Sequence, residues 1–63
     1  MTLSQSCVRL AITAIRDGRK TLNYRIAIFH IRAAIRYANR NGESRASLFR
    51  ILNWLRADLR RIG

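Results

Sequence analysis

Side chains capable of catalysis or metal binding are few in this sequence and lie far apart. Cys7 is the single cysteine and His30 the single histidine, and nothing in the sequence brings them together. A catalytic thiolate needs a base held beside it, so we expect Cys7 to be a small interior residue. The three acidic residues, Asp17, Glu43 and Asp58, are dispersed and form no evident acid–base pair or ligand cluster. We therefore predict no enzymatic activity, no bound metal and no cofactor.

Arginine dominates the chemistry of the chain. Of the 13 basic residues only Lys20 is lysine, and the net charge is +10. The guanidinium group binds phosphates and carboxylates through paired hydrogen bonds and stacks on flat rings. So basic a chain is expected to bind an anionic partner, either nucleic acid, DNA or RNA, or an acidic protein surface. Arginine is also enriched in high-GC genomes, so composition alone does not identify the functional arginines.

The length of the chain limits the core that it can bury. We predict one domain, residues 1–63, near the lower size limit for folding without support. A single cysteine excludes an internal disulfide, so self-association or docking on a partner is the expected support. The lone cysteine, and the lack of an apolar run resembling a signal peptide or a membrane span, predict a cytoplasmic location.

Glycines divide the sequence into three segments with helical periodicity. The predicted helices are about 4–17, 21–40 and 44–62, with Gly18 and Gly42 just beyond the first two. The sequence therefore predicts an all-α fold, a three-helix unit. The middle segment has a wide apolar surface and a narrow polar stripe, which predicts a central helix covered from more than one side. We expect this unit to form a homodimer or to dock on a partner.

Hydroxyl, acidic and ring side chains suggest how these helices begin and what surrounds them. The expected N-terminal groups are Thr2, Ser4 or Ser6 for the first helix, Thr21 for the second, and Glu43 with Ser44 for the third. His30 is predicted to be a hydrogen-bonded interior or interface residue rather than a metal ligand or pH switch. Tyr24 and Tyr37 are predicted to lie at a rim or interface.

The third helix carries the most regular pattern, an apolar stripe opposite a basic side. Phe49 projects among arginines on the basic side, and Trp54 lies near its other edge. The predicted contact residues are Arg45, Phe49, Arg50, Asn53, Trp54, Arg56, Arg60 and Arg61, with a secondary basic stripe at Arg25, Arg32 and Arg36. Exposed aromatic residues among arginines are typical of stacking surfaces and of protein-interface hot spots. The alternative is that both rings fill a dimer core beneath the arginine stems.

The stretch 38–44 partly resembles the turn of helix-turn-helix DNA-binding proteins. Ala38, Gly42 and Ser44 match the small, turn and cap positions of that family, and Leu48 and Ile51 match its buried positions. The resemblance implies that the start of the third helix enters the major groove. In that register the facing residues are Arg45, Ala46, Phe49, Arg50 and Asn53. The alternative is an ordinary glycine stop between two antiparallel helices, which the polar residues flanking Gly42 favour.

Three functions remain compatible with the sequence. The leading hypothesis is a nucleic-acid-associated regulatory or accessory protein that contacts phosphates with arginine. The first alternative is a modulator or inhibitor of the kind carried by phages and mobile elements, docked on an acidic surface of a larger host protein. The second alternative is an amphipathic peptide at a membrane surface, because the third helix combines tryptophan with an arginine-rich polar side. The strongly apolar central helix disfavours this last hypothesis.

Overall fold

In the computed structural model, which describes residues 2–62, the chain forms three α-helices. They are α1 (Leu3–Asp17), α2 (Thr21–Arg40) and α3 (Ala46–Ile62). The all-α, three-helix prediction is confirmed. The predicted bounds of the second helix are those observed, whereas α1 begins one residue earlier and α3 two residues later than predicted.

A reciprocal pair of hydrogen bonds begins α1. The Gln5 backbone N–H donates to Thr2 Oγ1 at 3.2 Å, and the Thr2 backbone N–H donates to Gln5 Oε1 at 3.1 Å. This capping box satisfies two backbone donors that otherwise lack partners at a helix start. Of the three residues predicted as possible caps of the first helix, Thr2 is the one that caps it. Ser4 is buried inside the first turn, where its hydroxyl donates to Glu43 Oε2 at 3.0 Å.

The predicted cap of α2 is wrong. Lys20 occupies the N-cap position without a side-chain capping bond, and Thr21 is already helical. The connection from α1 is held instead by Asn23, whose side-chain amide donates to the Ala14 carbonyl at 2.9 Å. This bond ties the first turn of α2 to the last turn of α1, and sequence periodicity does not report such a contact.

Gly42 follows the end of α2, as predicted, and α3 begins four residues after it. Gly42 has φ +69°, its N–H donates to the Asn39 carbonyl at 3.4 Å, and the Glu43 N–H donates to the Ala38 carbonyl at 2.8 Å. These two bonds form a Schellman motif. The Glu43 carboxylate accepts from Ser4 and is not available to cap α3, which begins at Ala46, so the predicted start at Ser44 is wrong. The first bond of α3 runs from the Phe49 N–H to the Arg45 carbonyl at 3.0 Å.

The central helix packs on both others, mainly through small residues. Ala27, Ala34 and Ala38 are buried on α2, which lets its neighbours approach closely around the fully buried Ile31. Helix α3 contributes Leu48, Leu52 and Leu55, and α1 contributes Ala11. The prediction that α2 is covered from more than one side is confirmed. Its remaining side is open and exposes Leu22, Ile26 and Phe29.

Helices α2 and α3 run antiparallel along most of their length. Leu48 packs in one cluster with Ala38 at the connected end, and Tyr24 donates a hydrogen bond to Asp58 near the other. In a helix-turn-helix unit the two helices cross at about 90–120°. A helix of 17 residues is about 26 Å long. The molecule measures 34 × 18 × 13 Å, so α3 can lie only along its longest dimension and cannot cross α2 at such an angle. The resemblance to that family is therefore wrong, and the alternative of an antiparallel glycine turn is confirmed.

Candidate nucleic-acid interface

The structure exposes every residue predicted to contact a partner, but it divides those on α3 between two sides of the helix. The exposed residues are Arg25, Arg32, Arg36, Arg45, Phe49, Arg50, Asn53, Trp54, Arg56, Arg60 and Arg61. At 100° per residue, Phe49 and Trp54 point about 140° apart around α3. The two aromatic residues therefore belong to different surfaces.

Phe49 lies in a groove between α2 and α3 together with two arginines of α2. The groove has a volume of about 220 Å³ and is lined by Arg32, Ile35, Arg36, Phe49 and Leu52. Leu52 is buried there, whereas 46% of Phe49 is exposed. The structure thus joins the stripe predicted on the second helix to the contact surface predicted on the third. Sequence periodicity could not show this, because it does not reveal which side of α3 faces the stripe.

Three further arginines and one asparagine extend this surface from the residue before α3 along the helix. Arg45, Asn53, Arg56 and Arg60 share the side of Phe49, because they lie four, seven or eleven positions from it. The Arg45 guanidinium donates to Asn39 Oδ1 at 2.8 Å, which brings it to the end of α2. We call the surface formed by Arg32, Arg36, Arg45, Phe49, Asn53, Arg56 and Arg60 the α2–α3 basic face. Arg25 lines a depression beside it, together with Phe29, Arg32 and Arg36.

Carboxylates are engaged elsewhere. Asp58 accepts from the Tyr24 hydroxyl at 3.0 Å and lies 3.8 Å from an Arg61 nitrogen, on the Trp54 side of α3. Glu43 accepts from Ser4 near the start of α1. Asp17 ends α1 and is not among the residues that line the Phe49 groove. The positive field of the α2–α3 basic face is therefore not cancelled locally, which favours an anionic ligand.

The bond between Tyr24 and Asp58 holds α3 in register with α2. Burial raises the pKa of the Tyr24 phenol above its ordinary value of 10.0, and the hydrogen bond and charge of Asp58 raise this pKa further, against smaller opposing effects of Arg19 and Arg61. Tyr24 is 1% exposed, so its prediction as a rim residue is wrong. Its hydroxyl reaches a partner on α3 that the sequence does not identify.

Trp54 borders a second groove, between α1 and α3. It is lined by Ala11, Ile12, Ile15, Arg16, Gly18, Arg19, Ile51, Trp54 and Leu55, with a volume of about 460 Å³, and we call it the α1–α3 groove. Ala11 and Leu55 are buried, while 49% of Ile12 and 48% of Trp54 are exposed. The sequence interpretation included Trp54 but missed Ile12. The only sequence signal for Ile12 was that it is an apolar residue outside the apolar stripe of the first helix.

On the open side of α2, the sequence interpretation did not name Phe29. Phe29 is 68% exposed, and its ring meets the His30 ring edge-on with the centroids 5.5 Å apart. His30 is half-buried. Phe29 also lines a depression with Ala33, Arg36, Tyr37 and Arg40. Aromatic and basic groups thus alternate on this side too.

The remaining reactive side chains do not assemble into a site. Within residues 2–62, no three His, Cys, Asp and Glu side chains are grouped closely enough to hold a metal ion. Cys7 is half-buried and packs against the cluster of Ala34, Ala38 and Leu48. None of the helices described is both long enough and apolar enough to cross a membrane.

Comparison with known proteins gives no relative. No protein-family model matches the chain, and neither a curated protein nor a solved structure is significantly similar to it. Any function must therefore be argued from the surfaces described above.

Proposed function

We propose that this chain is an accessory protein that binds single-stranded nucleic acid through the α2–α3 basic face. One observation carries the proposal: a half-exposed Phe49 shares a groove with Arg32 and Arg36, and further arginines continue along α3. Arginines bind successive phosphates, and an exposed ring between them stacks on a base. The single-stranded form is favoured because bases in a duplex present no free ring face to Phe49.

The antiparallel packing supports this mode over insertion into a DNA groove. Helix α3 lies along α2 and does not project from the molecule, and its apolar stripe is occupied by contacts with α2. Arg32 and Arg36 of α2 instead line a groove with Phe49 of α3, and arginines of α3 share the side of Phe49. The same occupied stripe disfavours the membrane-surface hypothesis, since a helix lying on lipid needs that stripe free.

The first test is binding of fluorescent single-stranded DNA and RNA, followed by anisotropy over a series of salt concentrations. The double substitution Arg32→Gln/Arg36→Gln should weaken binding and reduce the salt slope by about 1.4, at about 0.7 for each lost phosphate contact on a single strand. The matched control is Arg9→Gln/Arg16→Gln, which removes the same charge from exposed positions of α1. If both double variants lose the same affinity, binding is a general charge effect and the proposed face is wrong.

A second pair of variants tests stacking. Phe49→Ala should weaken binding about 5- to 150-fold, corresponding to about 1–3 kcal/mol for one stacked base. Trp54→Ala is the control, because Trp54 is on the same helix and is similarly exposed but lies on the opposite side. Equal losses in the two variants, or no loss in Phe49→Ala, would contradict base stacking on Phe49.

We also propose that the chain self-associates in the cytoplasm through the open side of α2. Leu22, Ile26 and Phe29 are exposed there, on a chain too small to bury them itself. Arg25 and Arg36 flank these side chains, so pairing brings like charges together and should strengthen as salt screens them. Sedimentation at low and high salt tests this, and a monomer at all concentrations and salts would contradict it.

A further inference from the structure

The α1–α3 groove combines an apolar floor with a basic border. Ala11 and Leu55 form buried parts of its lining, and Ile12 and Trp54 leave about half of their surfaces open beside them. Arg16 and Arg19 border the end formed by the last turn of α1 and the following connection. Large side chains left exposed beside a concave apolar surface are a common feature of protein-binding sites.

The charge of the chain determines which occupant suits this groove. In a symmetric pair formed through this groove, the Arg16 and Arg19 of each copy would lie close to those of the other, which opposes pairing here. An acidic partner gains from that border instead. Apolar grooves between helices typically accept an amphipathic helix whose anchors recur at i, i+3, i+4 and i+7.

We propose that the α1–α3 groove binds an acidic amphipathic helix of a partner protein, with apolar anchors against Ile12 and Trp54 and carboxylates against Arg16 and Arg19. The site is separate from the α2–α3 basic face, because Trp54 and Phe49 lie on different sides of α3. Both surfaces can therefore be occupied together. The chain would then link an acidic protein segment to a nucleic acid strand.

Trp54 supplies the assay, since it is the only tryptophan of the chain and borders the groove. The probe is a synthetic amphipathic helical peptide without tryptophan, with leucines on one side and glutamates along both edges. Its twin carries lysines in place of the glutamates. Titration with the glutamate peptide should shift Trp54 emission to shorter wavelength and saturate, because the ring leaves water. The lysine twin should bind at least about tenfold more weakly because its charges meet the arginines.

Two exposed apolar positions provide matched variants. Ile12→Glu places a carboxylate beside the apolar anchors and should weaken the glutamate peptide about tenfold or more. Leu10→Glu makes the same charge change at an exposed position of the same helix that does not line the groove, and it should leave the affinity unchanged. Both positions are exposed, so helicity by circular dichroism should match that of the parent chain. Arg16→Glu should also weaken the glutamate peptide while strengthening the lysine twin.

Several results would overturn the proposal. Equal binding of the two peptides would show that charge plays no part, and equal losses in Ile12→Glu and Leu10→Glu would show that the groove plays no part. An emission shift with phosphatidylglycerol vesicles but not with the glutamate peptide would make this surface a lipid contact. A dimer that Ile12→Glu converts to a monomer would show that a second copy occupies the groove. Normal nucleic acid binding by Ile12→Glu, in contrast, would support the proposal, because it would show that the two sites act separately.

Discussion

Replacing Ile31 with alanine is the sharpest test of how α2 is covered. Ile31 is 0% exposed and packs with Tyr24, Ala27 and Leu55 in the main core cluster. Truncation of a buried isoleucine costs about 2–5 kcal/mol, made up of lost transfer energy and the cavity left behind. A domain of this length has a total stability of about 3–9 kcal/mol. Ile31→Ala should therefore remove a large part of the stability, and about 3 kcal/mol corresponds to a fall of about 12–24 °C in Tm.

The same helix offers a matched control. Ile26 lies on the open side of α2 and is 41% exposed, so Ile26→Ala deletes the same atoms without opening an interior cavity. We expect a change within about 0.5 kcal/mol at low salt and low protein concentration, where self-association through this side is weakest, aided by the better helix propensity of alanine. Thermal and urea unfolding followed by circular dichroism measure both variants. Ile31→Val, expected to cost about 0.5–1.5 kcal/mol, keeps the comparison measurable if Ile31→Ala does not fold. Equal losses at positions 31 and 26 would refute the assignment of the buried side of α2.

Further predictions concern the turn after α2 and the bond between α2 and α3. Gly42→Ala should cost about 1–2 kcal/mol in unfolding experiments, because Gly42 has φ +69° and no atom crowds the position, so the loss is conformational. Gly18→Ala, at an extended backbone position with ordinary contacts, should be nearly neutral, and equal effects would contradict the Schellman turn. Because the folded state raises the pKa of Tyr24, it holds the phenolic proton more tightly than the unfolded chain does. This contribution to stability is complete below about pH 10 and is lost as pH rises through the folded-state pKa. Tyr24→Phe should flatten the alkaline fall in Tm, whereas Tyr37→Phe, which leaves the Tyr24–Asp58 bond intact, should retain it.

Helical periodicity was sufficient to predict the three helices, because each keeps an apolar stripe over several turns. Gly42 was equally informative, since glycine just beyond a helix supplies the left-handed residue of a Schellman turn. The start of α3 was not predictable in this way. Glu43 is acidic and lies where a helix could begin, but its N–H closes α2 and its carboxylate binds Ser4, 39 positions away.

For the candidate sites, the sequence pattern likewise predicts which side chains are exposed but not which other helix they face. Pattern alone predicted that Phe49 and Trp54 are exposed on α3, and both are. It could not predict their neighbours, because a three-helix chain can close with either side of α3 toward the first helix. The structure selects one arrangement, in which Phe49 lines a groove with Arg32 and Arg36 while Trp54 lines another with Ile12 and Arg16. This arrangement places the α2–α3 basic face and the α1–α3 groove on different sides of α3.

The interior of α3 explains how two such different surfaces can coexist on one short helix. Leu48, Leu52 and Leu55 hold the helix against α2, so its two flanks open in different directions. The flank that meets the arginines of α2 becomes basic, and the flank that meets the apolar edge of α1 becomes a groove. Each proposed ligand therefore contacts a different pair of helices, α2 with α3 or α1 with α3. Substitutions at exposed groove positions of α1, such as Ile12 and Arg16, should then affect the peptide site alone, and substitutions in the shared leucines should damage both sites through loss of the fold.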